Sequence, residues 1–153
     1  MPTPLLKIFY ASCCAESITP TAVRQIVGQS QMMNRRAGIT GVLAYTGRHF
    51  AQALEGQAAD VVPLMQAIRM DRRHGDVRVL VREDDSPLRR FDGWSMHLLD
   101  SPDLDDSLGQ LLTAAPADLP RLAAQTLERI ADMARHACAD DLMATRRDGP
   151  RGG

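Results

Sequence analysis

The chain has 153 residues, 44% of them hydrophobic and 24% charged, which predicts one soluble globular domain with a short appendage. Its formal net charge of −1 excludes a strong electrostatic attraction to nucleic acid or to an anionic membrane surface. No apolar run approaches the roughly 20 residues that cross a bilayer, and the amino terminus lacks the basic start of a signal peptide. Three cysteines, two of them adjacent, form neither a disulfide framework nor a CxxC metal motif. These features predict a cytoplasmic protein without a metal site.

The first half of the chain alternates between strand and helix patterns. Residues 5–12 have the β-branched and aromatic content of a strand whose even-numbered residues share one face. Residues 17–36 then change to helical spacing, with Thr19 or Thr21 as the N-cap and Gly38 at the exit. Residues 38–56 predict two strands joined by a tight turn at residues 46–48.

A second helix and two more strands follow. Residues 60–76 carry apolar side chains at helical spacing, which puts Pro63 near the first turn of that helix. Alternating valines in residues 76–84 predict a strand, and residues 91–99 predict a fifth strand after a loop. This order predicts an α+β protein with a ferredoxin-like βαββαβ(β) sheet and two helices on one face.

The character of the chain changes beyond Pro102. Two amphipathic helices, interrupted near Pro116, are too short to form a core of their own, so they must pack on the sheet or on another subunit. The first of these two helices has an apolar face formed by Leu104, Leu108, Leu111 and Leu112. We predict that this face is exposed on a single chain and becomes buried in a homo-oligomer. We therefore predict a main domain at 1–100, a C-terminal helical extension for oligomerisation at 101–140, and a disordered tail at 141–153.

Three polar side chains occupy positions where apolar ones are expected. Gln52 lies between Phe50 and Leu54 on one strand face, Tyr10 follows a row of aliphatic residues, and Asn34 continues the apolar stripe of the first helix. A buried amide without partners costs about 1–3 kcal/mol. Each residue taken singly has a structural explanation, as a hydroxyl anchor or a helix cap. Together, they indicate a buried polar site suited to a planar ligand with carbonyl and N–H edges.

At these residues the sequence resembles the BLUF family of flavin-based blue-light sensors. The resemblance covers roughly residues 5–99. It is carried by five motifs in order: IFYAS, MMNRRAGITGVLAY, HFAQALEG, IRMDRRHGDV and RRFDGWSM. Such a resemblance implies a ferredoxin-like fold with FAD between the two helices, acting as a photoreceptor.

The resemblance also implies roles for single residues. Asn34 would bind the edge of the flavin ring, and Gln52 would lie between the ring and the hydroxyl of Tyr10. Ile39 and Phe50 are candidate apolar walls of the cofactor site. The ribityl or phosphate end of FAD would face residues among Arg72, Arg73 and His74, although a solvated charge cluster explains that run equally well.

The implied mechanism is sensing without turnover of a substrate. Light would drive a proton-coupled electron transfer from Tyr10, after which Gln52 would settle in a new rotamer or tautomer with altered hydrogen bonds. Trp94 and Met96 alternate on the predicted last strand, so we expect both on one side, exchanging places near Gln52 as the signal relay. The following helices would then signal to a partner protein or within a homo-oligomer.

Two other functions remain open from the sequence. A small flavin-dependent or ferredoxin-like enzyme would need an acid–base group in the pocket, and the predicted inner face offers none beyond Tyr10. Cys13 and Cys14 are predicted to be loop thiols without a histidine to activate them. A light-independent metabolite-binding regulatory domain is the other alternative. The length of chain after residue 100 predicts no fused cyclase or phosphodiesterase, and no Gly-rich phosphate loop distinguishes FAD from FMN.

Overall fold

A computed structural model describes residues 3–147, and their side chains as far as residue 140. In this range five strands form one sheet: β1 (Leu5–Cys14), β2 (Thr40–Tyr45), β3 (His49–Gly56), β4 (His74–Ser86) and β5 (His97–Asp100). The described range also has four α-helices: α1 (Pro20–Ala37), α2 (Ala58–Met70), α3 (Asp105–Thr113) and α4 (Leu119–Arg147). None of the helices in the described part of the chain is long and apolar enough to span a membrane.

The strand order of the sheet is β4-β1-β3-β2-β5. Neighbouring strands among the first four are antiparallel, whereas β5 joins the edge of the sheet parallel to β2. The predicted ferredoxin-like α+β fold is therefore confirmed, with β5 as an added edge strand. The strand β1 continues through Cys13 and Cys14, so the prediction that these residues are loop thiols is wrong.

Alternation of side chains along the strands gives the sheet two buried faces. The front face carries Ile8, Tyr10 and Leu54 and packs against α1 and α2. The back face packs against α3 and α4 and carries Phe9, Ala11, Val42, Ala51 and Ala53. The alanines of β3 leave room for the C-terminal helices, and both are buried there. The sheet is thus the middle layer of three.

The helix α1 begins and ends where its sequence signals predict. The side chain of Thr19 accepts a hydrogen bond from the backbone N–H of Ala22 at 3.1 Å, and Pro20 is the first helical residue. Gly38 ends the helix in the left-handed conformation, with φ 69°. In α2, Pro63 is the sixth residue and not a first-turn residue, because the helix starts at Ala58.

A buried carboxylate shapes the segment between β4 and β5. Glu55 is 2% exposed and accepts hydrogen bonds from the backbone N–H groups of Arg90 (2.8 Å) and Phe91 (2.6 Å). The hydroxyl of Thr40 donates a third bond at 2.9 Å. These bonds and the turn at Gly93, with φ 84°, keep residues 91–96 out of the ladder. The predicted fifth strand over 91–99 is therefore wrong for residues 91–96 and correct only from His97.

The C-terminal helices cover the back face of their own chain. Leu104, Leu108 and Leu111 are fully buried there, and Leu112 is partly buried against the same core. Our prediction of an exposed leucine face that awaits another subunit is wrong, because the sheet itself covers these side chains. The helix α4 extends to Arg147, seven residues into the predicted tail, and the rest of that tail lies outside the described residues.

Candidate functional site

A cleft of about 210 Å³ opens between α1, α2 and the front face of the sheet. Its walls are largely apolar, with Ile26 and Met33 on α1 and Leu64 and Ile68 on α2. Its polar side chains include Tyr10, Asn34 and Gln52 from the sheet and α1, and Asp71, Arg73 and His74 from the segment after α2. Apolar walls with a few convergent polar groups are typical of sites for flat cofactors.

Tyr10 and Gln52 lie directly opposite each other on β1 and β3. The hydroxyl of Tyr10 donates a short hydrogen bond to Oε1 of Gln52. Both side chains are buried, at 3% and 8% exposure. Burial, with a smaller contribution from the charge of Asp71, raises the pKa of Tyr10 well above its ordinary value, so the phenol keeps its proton in the resting state. The structure thus pairs a neutral phenol with the amide oxygen of Gln52.

The other end of the Gln52 amide contacts Met96. Its Nε2 donates to Sδ of Met96 at 3.2 Å, and Met96 is 2% exposed. Trp94 lies on the back side of the sheet, where its ring stacks on Phe91 at 5.9 Å between centroids and contacts His97 at 5.1 Å. The expectation that Trp94 and Met96 share one side is therefore wrong. Residues 94–96 are irregular and not a strand, so a spacing of two does not put them on the same face.

Two amides of α1 hold the backbone next to Met96. The Nδ2 group of Asn34 donates to the carbonyl oxygen of Ser95 at 3.0 Å, and Nε2 of Gln31 donates to the carbonyl oxygen of Met96 at 2.8 Å. Asn34 is 4% exposed and lines the cleft. Because a carbonyl only accepts, both side-chain nitrogens must face the 95–96 backbone. The Oδ1 atom of Asn34 is then the part of the amide that can accept from a ligand.

The residues after α2 also line the cleft. The guanidinium of Arg73 donates to the carboxylate of Asp71 from Nε at 2.9 Å and from Nη2 at 2.5 Å. These hydrogen bonds hold the pKa of Asp71 below its usual range. The ring of His74 lies at hydrogen-bond distance from the carbonyl of Ile68 and the hydroxyl of Ser12, both at 2.7 Å. Arg72 is exposed and does not line the cleft.

His74 and Asp71 correct the expectation that the inner face has no acid–base group beyond Tyr10. Both line the cleft, yet both are already bonded within the chain. The Nε2 atom of His74 must donate to the carbonyl of Ile68, since a carbonyl cannot donate. The remaining nitrogen, Nδ1, faces Ser12.

The two predicted apolar wall residues lie at different depths. Phe50 lines the cleft, and its ring meets that of His74 edge-on at 6.0 Å. Ile39 belongs to the same buried cluster but does not line the cleft; its side chain packs beside Gly56. The structure therefore brings together most of the predicted site residues and leaves Ile39 behind them.

Sequence reasoning missed two polar residues that shape the site, Gln31 and Glu55. Gln31 lies outside the apolar stripe of α1 and has the appearance of a solvated residue. Glu55 carried a usable signal, because it continues the apolar run of β3, in which all residues from Phe50 to Gly56 are buried. A carboxylate in such a position needs donors, and here they come from the backbone before β5.

The sequence profile of the BLUF family, described as sensors of blue-light using FAD, matches residues 5–97. This range is more than half of the chain. The chain belongs to the BLUF family. The profile ends at the first residue of β5 and so contains the whole cleft.

Two curated relatives are much longer proteins. The chain is 31% identical over 96 residues to the blue light- and temperature-regulated antirepressor BluF of Escherichia coli strain K12, a match covering 63% of the chain and 24% of BluF. It is 33% identical over 113 residues to photoactivated adenylate cyclase subunit alpha of Euglena gracilis, covering 70% of the chain and 11% of that protein. The chain therefore spans no more than a quarter of the length of these relatives.

Solved BLUF structures share the fold. The dark-state structure of the BLUF protein BlrB superposes with a TM-score of 0.65 at 26% identity, over 83% of this chain and 97% of BlrB. Klebsiella pneumoniae BlrP1, solved with FMN and cyclic diGMP, gives a TM-score of 0.59 at 36% identity, over 63% of this chain and 26% of BlrP1. The likeness to BlrB extends beyond the sheet, because that match is longer than residues 5–97.

Proposed function

We propose that this BLUF domain senses blue light through FAD bound in the front-face cleft, with Tyr10 and Gln52 as the photochemical residues. The observation that carries the proposal is the hydrogen-bond chain from Tyr10 through Gln52 to Met96. It joins an oxidisable phenol, a reorientable amide and the backbone that leads into β5.

The residues that line the cleft fit a flavin. Its apolar walls suit the flat ring, the Oδ1 atom of Asn34 suits a ring N–H, and Gln52 can reach a ring carbonyl. Arg73 and His74 suit the ribityl and phosphate end, and Ile39 supports the wall from behind. The choice of FAD follows the family description, while the BlrP1 structure contains FMN.

Held by Asn34, Gln52, Arg73 and His74, a flavin would supply absorption of blue light and an excited state that can accept an electron and give it back on recombination. Tyr10 is the donor, and because a phenol that loses an electron is a strong acid, its proton leaves along the bond to Oε1 of Gln52. When the proton and electron return to Tyr10, the Gln52 amide can settle in another rotamer or tautomer. Its Nε2 then leaves Met96 and its hydrogen bonding towards the cleft changes, which reddens the absorption.

The output follows from what Met96 is attached to. Its backbone leads into β5, which lies beside α4 on the back face. A change at Met96 therefore reaches α4 through a strand of only four residues. We propose that α4 passes this change to a partner protein or to a second copy of the chain in the cytoplasm.

We propose a sensor and not an enzyme because the acid–base groups of the cleft are occupied. Asp71 is bound by Arg73, and the ring nitrogens of His74 face Ile68 and Ser12. Burial raises the pKa of the Cys14 thiol to about 12 and raises that of Cys13. Neither thiol is a thiolate nucleophile at neutral pH.

The test is the visible absorption spectrum of the purified protein, in darkness and after blue light, for the wild type and two variants. Wild type should show a flavin spectrum that shifts to the red and recovers in the dark. Tyr10→Phe should keep the flavin and lose the shift, because it removes both the donor and the bond to Gln52. The control is Tyr45→Phe, a second buried tyrosine of the front-face core that does not line the cleft, and it should cycle normally.

Three results would contradict the proposal. A wild type that binds no flavin even after FAD is added favours a metabolite-binding domain. A flavin that bleaches instead of shifting indicates redox chemistry and reopens the enzyme alternative. A normal photocycle in Tyr10→Phe removes Tyr10 from its proposed role.

A further inference from the structure

Met96 is bonded at both its side chain and its backbone, and each bond leads to a glutamine. Its Sδ atom accepts from Gln52 at 3.2 Å, and its carbonyl oxygen accepts from Nε2 of Gln31 at 2.8 Å. Gln31 comes from α1, the helix that forms one wall of the cleft. Met96 is therefore held between the photochemical residue and the cofactor wall.

Gln31 is well suited to this task because its amide acts on the backbone and not on a side chain. The carbonyl of Met96 lies one residue before β5, so its position sets where that strand begins. The neighbouring carbonyls are bonded too, that of Ser95 to Asn34 and that of Trp94 to the N–H of Gly41. Of these three anchors, Gln31 holds the residue whose side chain contacts Gln52.

Gln31 has little structural reason to be there otherwise. It is exposed on α1, one turn after the buried Val27 at the edge of the apolar stripe, and it does not line the cleft. An exposed glutamine contributes little to helix stability beyond its ordinary propensity. Among the described residues, the side chain of Gln31 makes one hydrogen bond, the bond to the carbonyl of Met96.

We propose that Gln31 is a positioning residue of the light cycle: it anchors the Met96 backbone to α1 so that the Met96 thioether meets Gln52 in the resting state. The inference rests on the proposed function, since it concerns the same Gln52 switch. Without the anchor, Met96 has more positions open to it when Gln52 turns back. Dark recovery then slows, because the resting contact must be found again by a less ordered segment.

The experiment compares recovery rates after blue light, by absorption, in wild-type protein reconstituted with FAD and in three variants. Gln31→Leu removes the donor without adding charge and should slow recovery about three- to tenfold, the size expected for one hydrogen bond. Gln31→Lys restores a donor on a long side chain and should return the rate to within about twofold of wild type. The control is Gln25→Leu, the same change at an exposed glutamine earlier on α1, which should recover like wild type.

Further readouts separate this role from a merely structural one. The melting temperature of Gln31→Leu should lie within about 4 °C of that of Gln25→Leu, the shift expected from one hydrogen bond, and its flavin content should match wild type. Equal recovery rates in Gln31→Leu and Gln25→Leu, alongside a wild type that shifts and recovers, overturn the inference while the proposed function stands. Slow recovery in Gln31→Lys as well overturns the role of the donor. A wild type without any light-induced shift refutes the proposed function, and the inference falls with it.

Discussion

The two faces of this sheet are made by the same strands and yet differ in nearly every physical property. On the back face, Leu104, Leu108 and Leu111 are fully buried against alanines and phenylalanine of the strands. On the front face, a phenol and two amides are buried beside a cleft that the two helices leave open. The back face is packed for stability, whereas the front face keeps room and hydrogen-bonding groups for a ligand.

The difference between the two faces indicates how a small domain can combine stability with a change of conformation. Well-packed apolar contacts have one good arrangement, so the back face resists change. The Gln52 amide has two chemically different ends, bonded to Tyr10 and to Met96, and so has an alternative orientation at modest cost. We infer that stability comes mainly from one face and switching from the other. Three predictions, from the largest expected effect to the smallest, test that division.

The largest expected effect on stability comes from comparing one leucine-to-alanine substitution on each face of the sheet. Leu108→Ala leaves a cavity in the fully buried back face and should lower the free energy of unfolding by about 2–5 kcal/mol. Leu64→Ala, at a half-buried residue of the cleft wall, should cost only about 1 kcal/mol but weaken flavin retention. Urea denaturation and the ratio of flavin to protein absorbance measure the two effects. If Leu108→Ala weakened flavin retention as much as Leu64→Ala, the two faces would not be separable.

Glu55→Gln removes a buried acceptor that joins β3 to the segment before β5. The amide can still accept at one atom, but its NH2 group would oppose the N–H of Arg90, which should cost about 1–3 kcal/mol of unfolding free energy. Glu83→Gln is the matched control, because Glu83 also lies opposite Lys7 but is exposed, and it should change stability by less than about 0.5 kcal/mol. Equal stability of the two variants would show that the carboxylate does not hold this segment.

Asp105 anchors the start of α3 to the β2–β3 turn, and its effect should depend on pH. Its carboxylate accepts from the hydroxyl of Thr46 at 2.7 Å and from Nδ1 of His49 at 2.8 Å. The hydrogen bond from Thr46, followed by that from His49, holds the pKa of Asp105 below its ordinary value of 3.8. A lowered folded-state pKa stabilises the fold above the unfolded-state pKa, and that stabilisation is lost as the pH falls through the folded-state pKa.

Asp105→Asn should therefore destabilise the protein by about 1 kcal/mol at neutral pH, and the difference from wild type should shrink below the ordinary aspartate pKa. Asp106→Asn, at the exposed neighbouring residue, should differ little from wild type at either pH. Unfolding by urea at neutral and acidic pH measures both. A difference for Asp105→Asn that stays constant down to acid pH would mean that the carboxylate charge is not what anchors α3.

The sequence by itself determined most of the elements and the face on which each side chain of a regular element lies. A period of two along each strand predicted the face of the sheet on which Tyr10 and Gln52 lie. Helical spacing predicted that Asn34 lies on the buried stripe of α1. The resemblance to BLUF proteins then predicted roles for these residues, and the family match confirms the family. Local signals also gave the ends of α1 at Thr19 and Gly38, because capping depends on residues close in the chain.

Only the tertiary structure decided which elements meet. Trp94 and Met96 lie on opposite sides of the sheet because Glu55 and Gly93 turn the chain before β5. The rule that residues two apart share a face holds only within a regular strand. The leucines of α3 are buried because that helix lies back on its own sheet, whereas an amphipathic pattern does not say what covers it. The bond from Gln31 to Met96 joins residues 65 positions apart in the chain. Contacts at such separations depend on the packing of whole elements, which no local pattern specifies.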